Sequence, residues 1–116
     1  LKYFLLDFEE ALNAFEMGRS IDASNIDFLL GEANIRLILE KENISEKTIE
    51  LFNEILIKKP NNITALLVLA DYNFYLKDYD LSKNYYEKLL SLIDKNSLEY
   101  KSIQKNLDEI KIINYK

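Results

Sequence analysis

Carboxylates are the side chains in this sequence whose type and spacing come nearest to chemistry. Asp78, Asp80 and Ser82 alternate as the opening ligands of a calcium loop do, but the glycine and the bidentate glutamate that complete such a loop are missing. Glu9 and Glu10 are paired acids of the kind glycoside chemistry uses, yet neighbours on a helix point in different directions and cannot flank one bond. The chain has no histidine and no cysteine. That removes imidazole bases, thiol nucleophiles, disulfides and the usual zinc ligands together. With two glycines in 116 residues there is no glycine-rich phosphate loop either. The expectation is a chain with no catalytic residue, no metal and no cofactor, and hence no enzyme.

Binding is the remaining chemistry. Eight tyrosines and six phenylalanines suit base stacking, but stacking needs a basic groove and this chain carries 15 basic against 20 acidic residues. A net charge of −5 disfavours nucleic acid and anionic membrane as partners and favours a neutral or basic one. No run approaches the roughly 20 apolar residues of a membrane span. The segment Leu66-Leu67-Val68-Leu69-Ala70 is apolar on every side, and such a helix must be covered on every side. Neighbouring helices account for Leu66, Leu69 and Ala70. Leu67 and Phe74 then need a cover: a ligand segment, a second copy of the chain, further parts of a longer protein, or a tilt of the adjacent helix. Asn34 and Asp71 are the polar residues of this strip, suited either to a solvated face or to orienting a bound backbone and receiving a lysine or arginine.

The elements that would position these residues follow from self-similarity. Ser82, Tyr86, Leu89 and Asn96 find counterparts 34 residues earlier in Thr48, Phe52, Ile55 and Asn62, and earlier still in Ala11, Phe15, Gly18 and Asn25. Each set runs small, aromatic, small or aliphatic, then asparagine, which is the signature of a repeated unit. In the first unit the spacing predicts the tail of one helix over Leu1 to Leu5, a turn at Asp7-Phe8 and a second helix over Phe8 to Ile21. Ser24 or Asn25 caps a helix running from Ile26 to about Lys41, with Phe28, Leu29, Ala33 and Leu37 inward. After a turn at Glu42-Asn43-Ile44, Ser45 caps a helix that buries Ile49, Phe52, Ile55 and Leu56 and ends before Pro60. Ile63 to Asn96 reads as two helices joined at Lys77-Asp78-Tyr79-Asp80. Ser97 caps a last helix with Tyr100, Ile103, Leu107 and Ile110 on one stripe. Only two glycines and one proline leave little turn chemistry for sheets, so helix is the default.

These residues resemble the tetratricopeptide repeat family of 34-residue helix–turn–helix units. Leu66, Leu69 and Ala70 fit its first-helix positions, Ser82 and Tyr86 its second, and Asp78-Tyr79-Asp80 its turn. Thr48, Phe52, Ile55 and Pro60-Asn61-Asn62 fit in the middle unit, and Asp7-Phe8-Glu9-Glu10-Ala11 with Phe15 in the first. Asn73, Asp94 and Arg36 depart from the pattern. The resemblance implies an all-α fold, a right-handed solenoid of helical hairpins, with a partial repeat over residues 1–25, full repeats over 26–62 and 63–96, and a capping helix over 97–116. It also implies a concave groove that binds a protein or peptide, lined here by Leu30, Asn34, Leu37 and Ile38 and by Leu67, Asp71, Phe74 and Tyr75. The carboxylate clamp of one subtype is absent, because Gly31, Thr64 and Val68 stand at its positions.

The expected function is a non-catalytic scaffold that holds a protein segment, basic or apolar. The alternatives are a module for homo-oligomer formation or an accessory domain of a larger protein. The chain begins at Leu1 in mid-pattern, as a piece of a longer protein would. Cytoplasm is the default compartment, and the cell envelope applies if an anchor lies upstream. The high lysine, asparagine and isoleucine content hints at an AT-rich bacterial genome.

Overall fold

The computed structural model describes residues 2–41 and 43–114, with side chains from residue 7 onward. Six helices and no strand occur among the described residues: α1 (Lys2–Ile21), α2 (Ile26–Glu40), α3 (Glu46–Lys58), α4 (Ile63–Tyr75), α5 (Tyr79–Leu90) and α6 (Leu98–Asn114). By their contacts they fall into two units, residues 1–60 and 61–116.

In the first unit α2 packs against both α1 and α3. Asn25 caps α2 by accepting from the backbone N–H groups of Asp27 and Phe28, and Ser45 caps α3 by accepting from Thr48. Each satisfies a donor that a helix start leaves free. The core holds Leu29, Ala33, Thr48, Ile49, Phe52 and Ile55, all buried. Phe28, Leu37 and Leu56 are half-buried, so the inward stripes expected of α2 and α3 are present with softer edges.

The α1–α2 contact is a reciprocal fit of glycine and phenylalanine. A Cβ on Gly18 would stand 2.7 Å from Cδ1 of Phe28, and one on Gly31 would fall on the ring of Phe15. Each glycine therefore makes room for an aromatic ring of the other helix. Both sit mid-helix, where glycine costs roughly 1 kcal/mol against alanine, and the close approach of the rings is the reason they stand there.

One expectation fails here. α1 is a single helix from Lys2 to Ile21, with no turn at Asp7-Phe8 and no second helix beginning at Phe8. The reason is local: Leu5 to Ala11 contains no glycine, proline or asparagine and no residue with positive φ, so nothing releases the chain from the helix. Leu1 of the predicted first helix and Glu42 of the predicted second turn lie outside the described residues.

In the second unit α5 packs against α4 on one side and α6 on the other. The α4–α5 turn shows what α1 lacks. Lys77 adopts a left-handed backbone with φ 65°, its N–H donates to Phe74 at 3.1 Å, and the N–H of Asp78 donates to Asn73 at 2.9 Å. This pair of bonds closes a helix C-terminus. Asp78 at once opens α5, its carboxylate accepting from the N–H of Leu81. One residue thus ends one helix and starts the next. Asn62 caps α4, and the Ser97 hydroxyl accepts from the N–H of Tyr100 at the start of α6. Ser82 is small enough to bring α5 onto α4, and its hydroxyl donates to the Ala70 carbonyl at 2.9 Å. Ala65, Leu66, Leu69, Ala70, Tyr86, Leu89, Ile103 and Ile110 form the core. Asn73 is buried among them, its amide donating to the Leu69 carbonyl at 2.7 Å. None of the helices among the described residues is long and apolar enough to cross a membrane.

Candidate functional site

Two polar constellations are built into this scaffold, and they differ in kind. The first lies inside unit 1. Glu32 on α2 is fully buried. Its Oε1 accepts from Arg19 of α1 at 2.5 Å and its Oε2 from Arg36, one turn along α2, at 2.8 Å. Arg36 also donates to Glu16 of α1 at 2.9 Å and reaches toward Glu40 at 4.0 Å. Glu40 in turn accepts from the backbone N–H and hydroxyl of Ser45 and, at 2.7 Å, from the hydroxyl of the buried Thr48. The chain thus runs from α1 through α2 to the cap of α3. Burial pushes the Glu32 carboxyl up, but the hydrogen bonds and charges of Arg19 and Arg36 outweigh it and hold the group below its ordinary value. Arg19 Nε is the one buried side-chain nitrogen or oxygen without a partner among the described residues. The network joins three helices.

The second constellation lies in unit 2 and is open. The hydroxyl of the buried Tyr86 on α5 donates to Asp71 Oδ1 on α4 and accepts from Asn106 Nδ2 on α6 at 3.0 Å. One hydroxyl therefore ties together the helices on either side of α5. Burial, and next to it the Asp71 carboxylate, push the Tyr86 phenol well above its ordinary value. The inner end of the Asp71 side chain is desolvated as well, and this raises its carboxyl above the ordinary value although the bond from Tyr86 pulls the other way. Asp71 and Asn106 stand at a cleft of about 310 Å³ between α4 and α6, whose remaining lining is Leu67, Leu98, Glu99, Ser102 and Ile103.

The predicted groove residues meet different fates. Leu67 and Asp71 line this cleft together. Phe74 is half-buried against its own hairpin, its ring edge-on to Tyr79 at 5.7 Å and to Tyr86 at 6.4 Å. Its cover is therefore supplied by α5. Tyr75 is exposed. In unit 1, Leu30 and Leu37 are half-buried, and Asn34 and Ile38 are exposed on α2. No family model matches the chain, and no curated protein matches it significantly.

Sequence reasoning missed Glu32, because a glutamate beside Leu29 and Ala33 reads as an outward residue. A signal was present. Glu32, Arg36 and Glu40 are spaced i, i+4 and i+8 on α2, and the chain has only two arginines, both of which meet on Glu32. The α6 wall of the cleft was missed for another reason: the final helix was read for the stripe that covers α5, and its next face was left to water. The Asp78, Asp80 and Ser82 alternation serves capping and packing, since Asp78 caps α5 and Ser82 bonds to Ala70.

Proposed function

We propose that this chain is a tetratricopeptide-like helical repeat protein whose units stack as a right-handed solenoid, and that it is a non-catalytic scaffold binding a segment of another protein. The observation that carries the reading is the cleft between α4 and α6. Two helices that do not pack on each other are held on opposite sides of α5, with Leu67 and Asp71 facing the gap. A helical hairpin followed by the first helix of a further unit has this arrangement. The equivalent residues of the two hairpins also share a role: Thr48 with Ser82, Phe52 with Tyr86, and Ile55 with Leu89 are each buried.

The mechanism is insertion of apolar side chains into a gap formed before the ligand arrives. Burying one leucine-sized side chain contributes roughly 1.5–3 kcal/mol, so about three anchors approach the ~8 kcal/mol of micromolar affinity. A rigid gap limits the ordering cost of association. A displayed library of random peptides selected on the full chain tests this. The expected result is enrichment of peptides that lose binding to a Leu67→Asp variant. Recovery of no peptide that distinguishes the two proteins refutes the groove. The alternative, self-association, has support in the exposure of Ile21 at 84% and Ile57 at 81% on unit 1. Light scattering across concentration separates it, because a dimer would have to form without any ligand.

A further inference from the structure

We propose that the α4/α6 cleft takes a polypeptide segment carrying a lysine or arginine beside a leucine-sized residue. The cation meets the Asp71 carboxylate, with Glu99 on the facing helix, and the apolar side chain lies on Leu67. The inference rests on the groove reading above and adds the chemistry of its occupant.

Charge complementarity carries it. The cleft lining includes two carboxylates and no lysine or arginine. This bias is not inherited from the surroundings, since residues 61–116 hold eight acidic and eight basic side chains. A second depression of the same unit, between α5 and α6, provides the contrast. It is lined by Lys83 and Lys111 as well as by Glu87 and Asp108, and Lys83 pairs with Glu87 at 3.7 Å. That depression supplies its own counter-ions; the α4/α6 cleft does not.

Glu32 and Asp71, two carboxylates that each bond across helices, make the same contrast. Glu32 is given both arginines, and its pKa is lowered. Asp71 is given a phenol and takes part in no ion pair among the described residues. Asp71 is exposed at the cleft, so its carboxylate is open to an incoming cation, and no lysine or arginine of the lining meets it first. Tyr86 fixes the carboxylate by one oxygen, so the site is ordered before binding. Leu67 stands one helical turn before Asp71, which matches a cation and an apolar side chain close together in a ligand.

The test uses the full chain and three sets of fluorescein-labelled nonapeptides, each with leucines flanking a central position that holds lysine, norleucine or glutamate. Fluorescence polarisation at low salt should show the lysine set binding about tenfold tighter than the norleucine set and the glutamate set weakest. The lysine preference should shrink as salt is added. Asp71→Asn, which keeps an acceptor for Tyr86, should abolish the preference while leaving norleucine binding in place. Glu99→Gln, on the solvent-facing wall, should reduce it. Unchanged melting curves show that both variants fold. Equal binding of the lysine and norleucine sets overturns this inference alone. Failure of every set to bind overturns the groove as well. A dimer that dissociates on Leu67→Asp would place a second copy in the cleft and also overturn it.

Discussion

Replacing Glu32 with glutamine leaves the shape of the α1–α2–α3 junction intact and removes the one negative charge that both arginines share. Arg19 and Arg36 would then face each other across a neutral amide, with only Glu16 and Glu40 left to balance Arg36. Breaking a buried ion pair by removing one partner costs about 3–5 kcal/mol. The Arg19 side chain is 26% exposed and that of Arg36 14%, so water recovers part of the loss. We expect Glu32→Gln to destabilise unit 1 by about 2–4 kcal/mol. Hydrogen exchange of the α2 amides measures this directly, because it reads unit 1 apart from unit 2. The pH dependence gives a second reading with a definite sign. The folded pKa of Glu32 lies below its ordinary value of 4.5, so its contribution is fully present above that pH and is lost as pH falls through the folded value. Native α2 protection should therefore fall on acidification, and the glutamine variant should lack that part of the slope. A triple change of Arg19, Glu32 and Arg36 to methionine should cost less than the single one, since the fully buried charge is gone and the carboxylates that lose Arg36, Glu16 and Glu40, reach solvent. A loss under about 1 kcal/mol for Glu32→Gln would refute the reasoning.

Three further outcomes follow from the packing. Gly31→Ala gains helix propensity but places a methyl group on the Phe15 ring, and overpacking of this kind costs about 1–3 kcal/mol; α1 and α2 should exchange faster, and Phe15→Leu should restore part of the loss. Lys77→Gly relieves a non-glycine residue held at φ 65° and should stabilise unit 2 by up to about 1 kcal/mol, read as a higher urea midpoint; a decrease would show that the lysine side chain matters more than the backbone. Tyr86→Phe deletes the hydroxyl shared by Asp71 and Asn106 and should cost about 1–3 kcal/mol. It should also push the Asp71 carboxyl, followed by carboxyl NMR shifts, further above its ordinary value, because the bond from Tyr86 is what pulls it down.

The boundaries of α2 to α6 were legible because each start has a short-range chemical signal: Ser45 and Ser97 cap where they were expected to, Asn25 rather than Ser24 caps α2, and Asn62 and Asp78, read as the opening of a unit and as a turn residue, cap α4 and α5. The expected break in α1 came from aligning Asp7-Phe8 with Asp78-Tyr79. The alignment matched the aspartates but not the residue before, where Lys77 turns left-handed and Leu6 does not. Repeat logic overrode local propensity there, and propensity prevailed. The polar pairings were harder to read. Tyr86 meets Asp71 and Asn106 across 15 and 20 residues, and such a meeting depends on how three helices pack, which periodicity along one helix does not encode. Leu67 was legible as a residue in need of a cover. Phe74 carried the same signal, and its cover turned out to be Tyr79 and Tyr86.

The buried glutamate also decides what an anion would encounter on this molecule. With both guanidinium groups turned inward to one carboxylate, the remaining thirteen positive side chains of the chain are all lysines. A lysine offers a rotating, well-hydrated point charge, whereas arginine presents a planar fork that grips a phosphate or carboxylate by two atoms at once. The molecule has turned its directional cation chemistry toward its own interior, and toward solvent it offers only diffuse positive charge.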